Sequence, residues 1–182
     1  MRTRGQSFVL IVALGFLNAL TPFSIDLYLP AFSQIANDLS TPVQRLSLSV
    51  SVYFLGFAFG QIFYGPLLDR FGRKKPLYLG LFIYLMAGIG CMTARSFEAL
   101  LCFRALSAFG GSAASVGAMA MVRDFFPAKD AAKVFSLLML VLSASPLFAP
   151  SVGGLLVTAF GWRIFFGFVS VFWLIVFASV AF

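Results

Sequence analysis

An all-α membrane protein of six transmembrane helices is what this sequence predicts, and three features carry the prediction. Of its 182 residues, 61% are apolar and only 10% charged, with a mean hydropathy of +1.00. A soluble domain cannot hide that much apolar surface, because its outside must meet water. The second feature is a set of long runs. Phe8 to Ile25, Leu46 to Leu68, Leu77 to Ala94, Val134 to Trp162 and Ile164 to Phe182 carry no charge, and Ala99 to Val122 carries one, Arg104. Each is near or above the ~18–20 residues that a helix needs to cross the hydrocarbon core. The third is periodicity: the alternation of a strand is absent, which disfavours a β-barrel.

The expected spans are 8–30, 46–68, 77–94, 99–122, 134–160 and 164–182, joined by short connectors without a soluble domain or linker. The opening Met1-Arg-Thr-Arg resembles a secretory signal, but the apolar run is long and no small-x-small cleavage site follows, so it reads as a retained first helix. The net charge of +7 points to topology rather than to nucleic acid, because the basic residues sit in the connectors. With the amino terminus inside, Arg2, Arg4, Arg70, Arg73, Lys74, Lys75, Arg123, Lys129 and Lys133 are cytoplasmic and only Arg45, Arg95 and Arg163 are outside. That bias places both termini in the cytoplasm. Prolines cluster at helix ends, save Pro22, Pro146 and Pro150, which should bend or loosen their spans. Cys91 and Cys102 read as small apolar side chains packed in helices, with a disulfide across the hairpin the alternative. There is no His, which removes the commonest catalytic base and metal ligand; no enzyme activity, metal or cofactor is expected.

Spans 1 and 4 each hold the sole charged residue of their membrane-embedded stretch, Asp26 and Arg104. Span 1 enters from inside and span 4 from outside, which fits an inverted 3+3 arrangement of two helix triplets. Asp26 lies ~6 Å below the outer end of span 1 and Arg104 ~9 Å into span 4, at ~1.5 Å per residue. A charge within the bilayer costs several kcal/mol unless paired or hydrated, so both should face the bundle interior or a cavity. On the functional reading Asp26 carries a proton and Arg104 biases its protonation; snorkelling, or a static pair, is the structural alternative.

Spans 2 and 3 are joined inside by Gly65-Pro-Leu-Leu-Asp69-Arg70-Phe71-Gly72-Arg73-Lys74-Lys75-Pro76. Gly72 allows a tight turn, Asp69 can accept from helix amides, and Arg73 can fork onto a carboxylate, for which Asp124 at the inner end of span 4 is available. Positive-inside anchoring explains the Arg and Lys but neither the Gly-x6-Gly spacing nor the acid between.

This segment resembles the helix 2–3 signature of the major facilitator superfamily, Gly-x3-Asp-Arg-x-Gly-Arg-Lys/Arg. In that family the loop is a cytoplasmic latch, which implies that Asp69 meets a helix of a second half and Arg73 pairs with Asp124. Asp26-Leu-Tyr-Leu-Pro30 with Ile35-Ala-Asn-Asp-Leu39, and Arg104-Ala-Leu-Ser-Ala-Phe-Gly110-Gly111, look like the span 1 and span 4 motifs of the drug:proton antiporters, particularly the bicyclomycin and chloramphenicol exporters. Span 5 resembles the antiporter motif Gly-x8-Gly-x3-Gly-Pro-x2-Gly-Gly through Ser136, Ser145, Ala149, Pro150, Gly153 and Gly154, with small residues in place of three glycines. Some relatives carry a second acid two turns before Asp26; here that place is Asn18.

The resemblance implies the amino-terminal half of a twelve-helix transporter in a bacterial inner membrane, with the second six-helix half absent. The expected function is secondary active efflux: a small lipophilic or amphipathic compound leaves as protons enter, by alternating access. Expected partners are protons, that substrate, the bilayer, and a carboxy-terminal half or a second copy, with no nucleic acid. Asn18, Tyr28, Tyr53, Phe57 and Gln61 are the expected cavity residues, the last three sharing one broad helical face. Uptake of a sugar or metabolite by the same fold, or a truncated chain that does not transport, are the alternatives. An intramembrane serine protease needs a His, a voltage sensor needs a series of Arg in one helix, and neither is present.

Overall fold

The computed structural model describes residues 4–181, with side chains for residues 10–175. Arg2 and Phe182, and the side chain of Arg4, lie outside the described residues. The described residues are helical with short connectors: α1 (Arg4–Asp26), α2 (Phe32–Asp38), α3 (Ser47–Phe71), α4 (Lys74–Thr93), α5 (Phe97–Phe125) and α6 (Ala128–Ala181), with 3-10 turns at Leu29–Ala31 and Val43–Leu46. A continuous α6 of 54 residues would measure ~80 Å, well beyond a hydrocarbon core of ~30 Å. It is not continuous: Gly161 sits at φ 78°, ψ 161°, in a region that only glycine occupies without strain. The break divides α6 into α6a (128–160) and α6b (162–181), which supplies the fifth and sixth apolar helices. Gly72, at φ 79°, ψ 170°, ends α3 in the same way.

Local chemistry accounts for the other boundaries. Pro30 has no N–H to donate, and α1 stops at Asp26, passing into turns in which Leu27 N donates to Phe23 O and Tyr28 N to Ile25 O. The connector expected over Ala31 to Arg45 is itself partly helical, as α2. Ser96 caps α5 by accepting from Ala99 N at 3.2 Å, with Glu98 in the first turn, where the helix dipole favours an anion. α5 then runs past its apolar stretch to Phe125, bringing Arg123 and Asp124 onto its last turn. Helix α1 is unbroken at Pro22 and α6a at Pro146 and Pro150.

α5 is the centre of the bundle. It packs against α3, α4 and α1, while α6 closes on α1 and α4. Small residues let the main chains touch. A Cβ on Gly110 would lie 2.6 Å from the carbonyl oxygen of Gly80 and 2.6 Å from the amide nitrogen of Tyr84, so α4 and α5 meet backbone to backbone. Gly56 and Gly60, a Gly-x3-Gly pair on α3, abut Ala105, Phe109 and Ser112 of α5 in the same manner. In lipid such contact substitutes for a hydrophobic driving force between helices. The outward faces of α3 and α6a are apolar and exposed, with Phe59, Ile62, Leu147 and Leu155 the most prominent. Cys91 is buried, Cys102 is exposed, and both thiols are free.

Candidate functional site

Arg104 projects from α5 into the bundle and is 2% exposed. Its guanidinium lies over the rings of Tyr28 at 4.3 Å and Tyr53 at 4.2 Å, with Phe166 at 6.0 Å. The negative faces of these rings compensate part of the lost hydration, an effect worth ~2 kcal/mol or more in a desolvated setting. Nη1 reaches the carbonyl of Ser24 at 3.5 Å, while Nε and Nη2 have no hydrogen-bond partner. A small chamber beside it is lined by Ser24, Tyr84, Ser107 and Ser170 together with Cys91 and Phe165.

Asp26 ends α1, partly buried, and its Oδ2 accepts from Ser145 Oγ of α6a at 2.9 Å. Among the described residues Arg104 forms no ion pair, with Asp26 or any other acid. Arg104 does reach the same stretch of α1, taking the carbonyl two residues before Asp26. Two residues are ~200° around a helix, so Arg104 and the Asp26 carboxylate belong to different faces. Arg104 is buried and Asp26 partly so. The antiporter-like segment of α6a is what meets Asp26. Ser145 and Ala149 are fully buried, and Gly153 abuts the carbonyl of Leu27, so only glycine lets α6a lie this close to the end of α1. Pro150 is half-buried. Gly154 lies farther out, where a Cβ would be 3.9 Å from Pro30.

The expected cavity residues fall in different environments. Tyr28 and Tyr53 are fully buried, with their rings against the Arg104 guanidinium; Tyr28 Oη also bonds Ser49 Oγ at 2.9 Å. Asn18 is buried, its Oδ1 accepting from Ser115 Oγ of α5 at 3.1 Å. Along α3 the face opens outward, from buried Tyr53 through half-buried Phe57 to exposed Gln61. Of the five, Phe57 and Gln61 alone reach the surface of the bundle.

At the end of the bundle where α3 meets α4, Arg73 joins two acids. Its Nε donates to Asp124 Oδ2 at 2.7 Å and Nη2 to Asp124 Oδ1 at 3.2 Å, a forked pair, while Nη1 donates to Asp69 Oδ1 at 2.8 Å. These bonds, that from Arg73 first, hold the Asp124 carboxyl below its ordinary value and push the Arg73 guanidinium up. Gly72 makes the turn that aims Arg73 across α5. Gly65 has nothing within 4 Å of a would-be Cβ, and Arg70 is exposed, its guanidinium 5.4 Å from the Phe71 ring centre.

Residues 14–182 match the model of the Major Facilitator Superfamily. The chain belongs to that superfamily. It is 35% identical over 182 residues to a bicyclomycin resistance protein homolog of Haemophilus influenzae, covering 100% of this chain and 46% of that protein. It is 32% identical over 161 residues to a chloramphenicol resistance protein of Pseudomonas aeruginosa, covering 88% of this chain and 38% of that one. Multidrug resistance protein D of Escherichia coli K12 is 31% identical over 160 residues, 88% of this chain and 41% of that relative. The chain thus spans less than half the length of these relatives. Its fold is that of a bacterial homolog to the human lysosomal transporter Spinster in an inward-facing, occupied conformation, with a TM-score of 0.83 at 21% identity over 98% of this chain and 45% of that one. Within this superfamily fold, the residues that reasoning from sequence missed are Ser24, Tyr84, Ser107 and Phe166, which complete the surroundings of Arg104. Their only signal was polar or aromatic character inside apolar spans, which many residues of this chain share.

Proposed function

We propose that the chain forms the amino-terminal half of a proton-coupled exporter of small lipophilic or amphipathic compounds, working by alternating access in a bacterial inner membrane with both termini cytoplasmic. The observation that carries this reading is a carboxylate at the end of α1, held by one hydroxyl of α6a, with a guanidinium kept inside the bundle by aromatic rings and reaching the Ser24 carbonyl of the same helix. Asp26 takes up and releases the proton. Ser145 orients its carboxylate, and Arg104 supplies a fixed positive charge on another face of α1. Asp69, Arg73 and Asp124 form a cytoplasmic latch that holds one access state, with Gly72 shaping its turn. The exposed apolar faces of α3 and α6a meet a second six-helix unit, either a carboxy-terminal half or another copy, and the compound travels between the two with Phe57 and Gln61 on its path. The names of the relatives, which speak of resistance to bicyclomycin, to chloramphenicol and to multiple drugs, support export over uptake.

The test is substrate efflux from cells expressing the full reading frame, comparing the parent with Asp26→Asn. The variant should insert normally and lose proton-driven export. Unaltered uphill transport in Asp26→Asn would remove the coupling role.

A further inference from the structure

The two turns built on glycine in its exclusive backbone region lie at opposite ends of the bundle and share a local sequence. Gly65-Pro-Leu-Leu-Asp-Arg-Phe-Gly72 closes α3, and Gly154-Leu-Leu-Val-Thr-Ala-Phe-Gly161 closes α6a: the same Gly-x6-Gly frame, ending in Phe-Gly both times. The closing glycines agree in conformation, at φ 79°, ψ 170° and φ 78°, ψ 161°. A Cβ at either would meet nothing within 4 Å, so the backbone, not crowding, selects glycine at both.

An arginine follows each turn and reaches toward an acid at the end of another helix. Arg73 takes Asp124, on the last turn of α5. Arg163 Nε lies 3.8 Å from Oδ2 of Asp38, the last residue of α2, and Trp162 Nε1 donates to that same oxygen at 2.8 Å. The connector between spans 2 and 3 therefore engages the end of span 4, and the connector between spans 5 and 6 engages the helical connector that follows span 1. That exchange is the one an inverted 3+3 repeat produces. Arg163 does more. Its Nη1 donates to the carbonyls of Met92 at 3.1 Å and Ala94 at 2.8 Å, which satisfies the open end of α4. Three outer connectors thus meet at one guanidinium and one carboxylate, beside an open cleft of about 500 Å³ that gives water access to them.

We propose that Asp38, Trp162 and Arg163 form an outer latch, the counterpart across the membrane of the Arg73–Asp124 pair, whose release loosens the outer end of α4 and opens the Arg104 chamber from that side. Its part in the transport cycle rests on the alternating-access reading given above. The latch itself rests on the matched turns and on the charge-assisted bonds. Met92, whose carbonyl Arg163 holds, is next in sequence to Cys91, which is fully buried and lines the Arg104 chamber. Cys91 is therefore a native reporter of opening.

In a Cys102→Ser background, with the full chain in sealed vesicles, a membrane-impermeant maleimide is added to the outer face and the rate of Cys91 modification is followed. Asp38→Asn should raise that rate about tenfold, as expected for loss of a charge-assisted bond. Trp162→Phe keeps a ring against Phe166 and removes only the indole donor; it should give about threefold. Asp124→Asn makes the same charge change at the inner latch, at the other end of the bundle, and should not raise the rate. Rates for both Asp38→Asn and Trp162→Phe that stay at the parent value would overturn the proposal, as would an equal rise in Asp124→Asn. If Asp38→Asn does not insert, the comparison of Trp162→Phe with Asp124→Asn decides. The assay needs neither substrate nor proton gradient, so it reads the latch even where Asp26→Asn leaves transport unaffected.

Discussion

Replacing Gly110 by alanine sets two effects against each other. In a free helix the change stabilises by ~0.8–1 kcal/mol, because alanine loses less backbone entropy. In this bundle the new methyl would sit 2.6 Å from two main-chain atoms of α4, against the 3.4 Å at which ordinary contact begins. The helices must separate by about 0.8 Å, the difference of those distances, along a seam whose atoms cannot rotate aside. Overpacking costs ~1–3 kcal/mol; in the upper part of that range, ~2–3 kcal/mol, because neither main-chain atom can move aside, the net loss is ~1–2 kcal/mol and the unfolding midpoint falls by roughly 2–8 °C. Gly154→Ala is the control: it is also helical, but its methyl would meet only Pro30 at 3.9 Å, so it should be neutral or stabilising. Thermal unfolding of both variants in detergent, followed by size-exclusion, measures the difference. If Gly110→Ala is as stable as the parent, the α4–α5 seam is not backbone to backbone and the packing argument fails.

Arg104→Lys keeps the charge but loses the planar group that lies over Tyr28 and Tyr53. It should cost ~1–2 kcal/mol in the same unfolding assay, and a midpoint equal to the parent's would show that the rings do not hold the cation. The Asp124 carboxyl is held below its ordinary 3.8 by Arg73, so the stabilisation is complete above that value and is lost only as pH falls through the depressed one. The carboxyl 13C shift of Asp124 should accordingly be flat between about pH 8 and 5, and a titration step in that interval would contradict the pairing. Asp69→Ala should slow exchange between the two access states, read as a lower transport rate with the protein still inserted; a rate equal to the parent's would end the latch reading.

Apolar runs made the helices legible, because the bilayer imposes one length on every span. The turn at Gly72 was legible as well: Gly72, Arg73 and Asp124 are residue types with few other uses at those places, and Arg73 does fork onto Asp124. The relation of Asp26 to Arg104 was not. Counting residues along an axis gives depth, but which way a side chain faces depends on packing that no single helix specifies. Arg104 turned to Tyr28 and Tyr53, and Asp26 to Ser145. For the same reason Tyr53, Phe57 and Gln61 differ in exposure, because a broad face on α3 runs from core to surface in about two turns. The matched turns at Gly72 and Gly161 were hidden because the outer one lacks the acid and the basic run that draw the eye to the inner one.

Helix α5 has 29 residues and no proline, which makes it a rod ~44 Å long pinned to its neighbours through their main chains. On the alternating-access reading proposed above, such a rod rocks rather than folds. A tilt of about 10° about one end swings the other by ~8 Å, the width of a small molecule, so in that reading a modest push at one membrane surface clears a passage at the other.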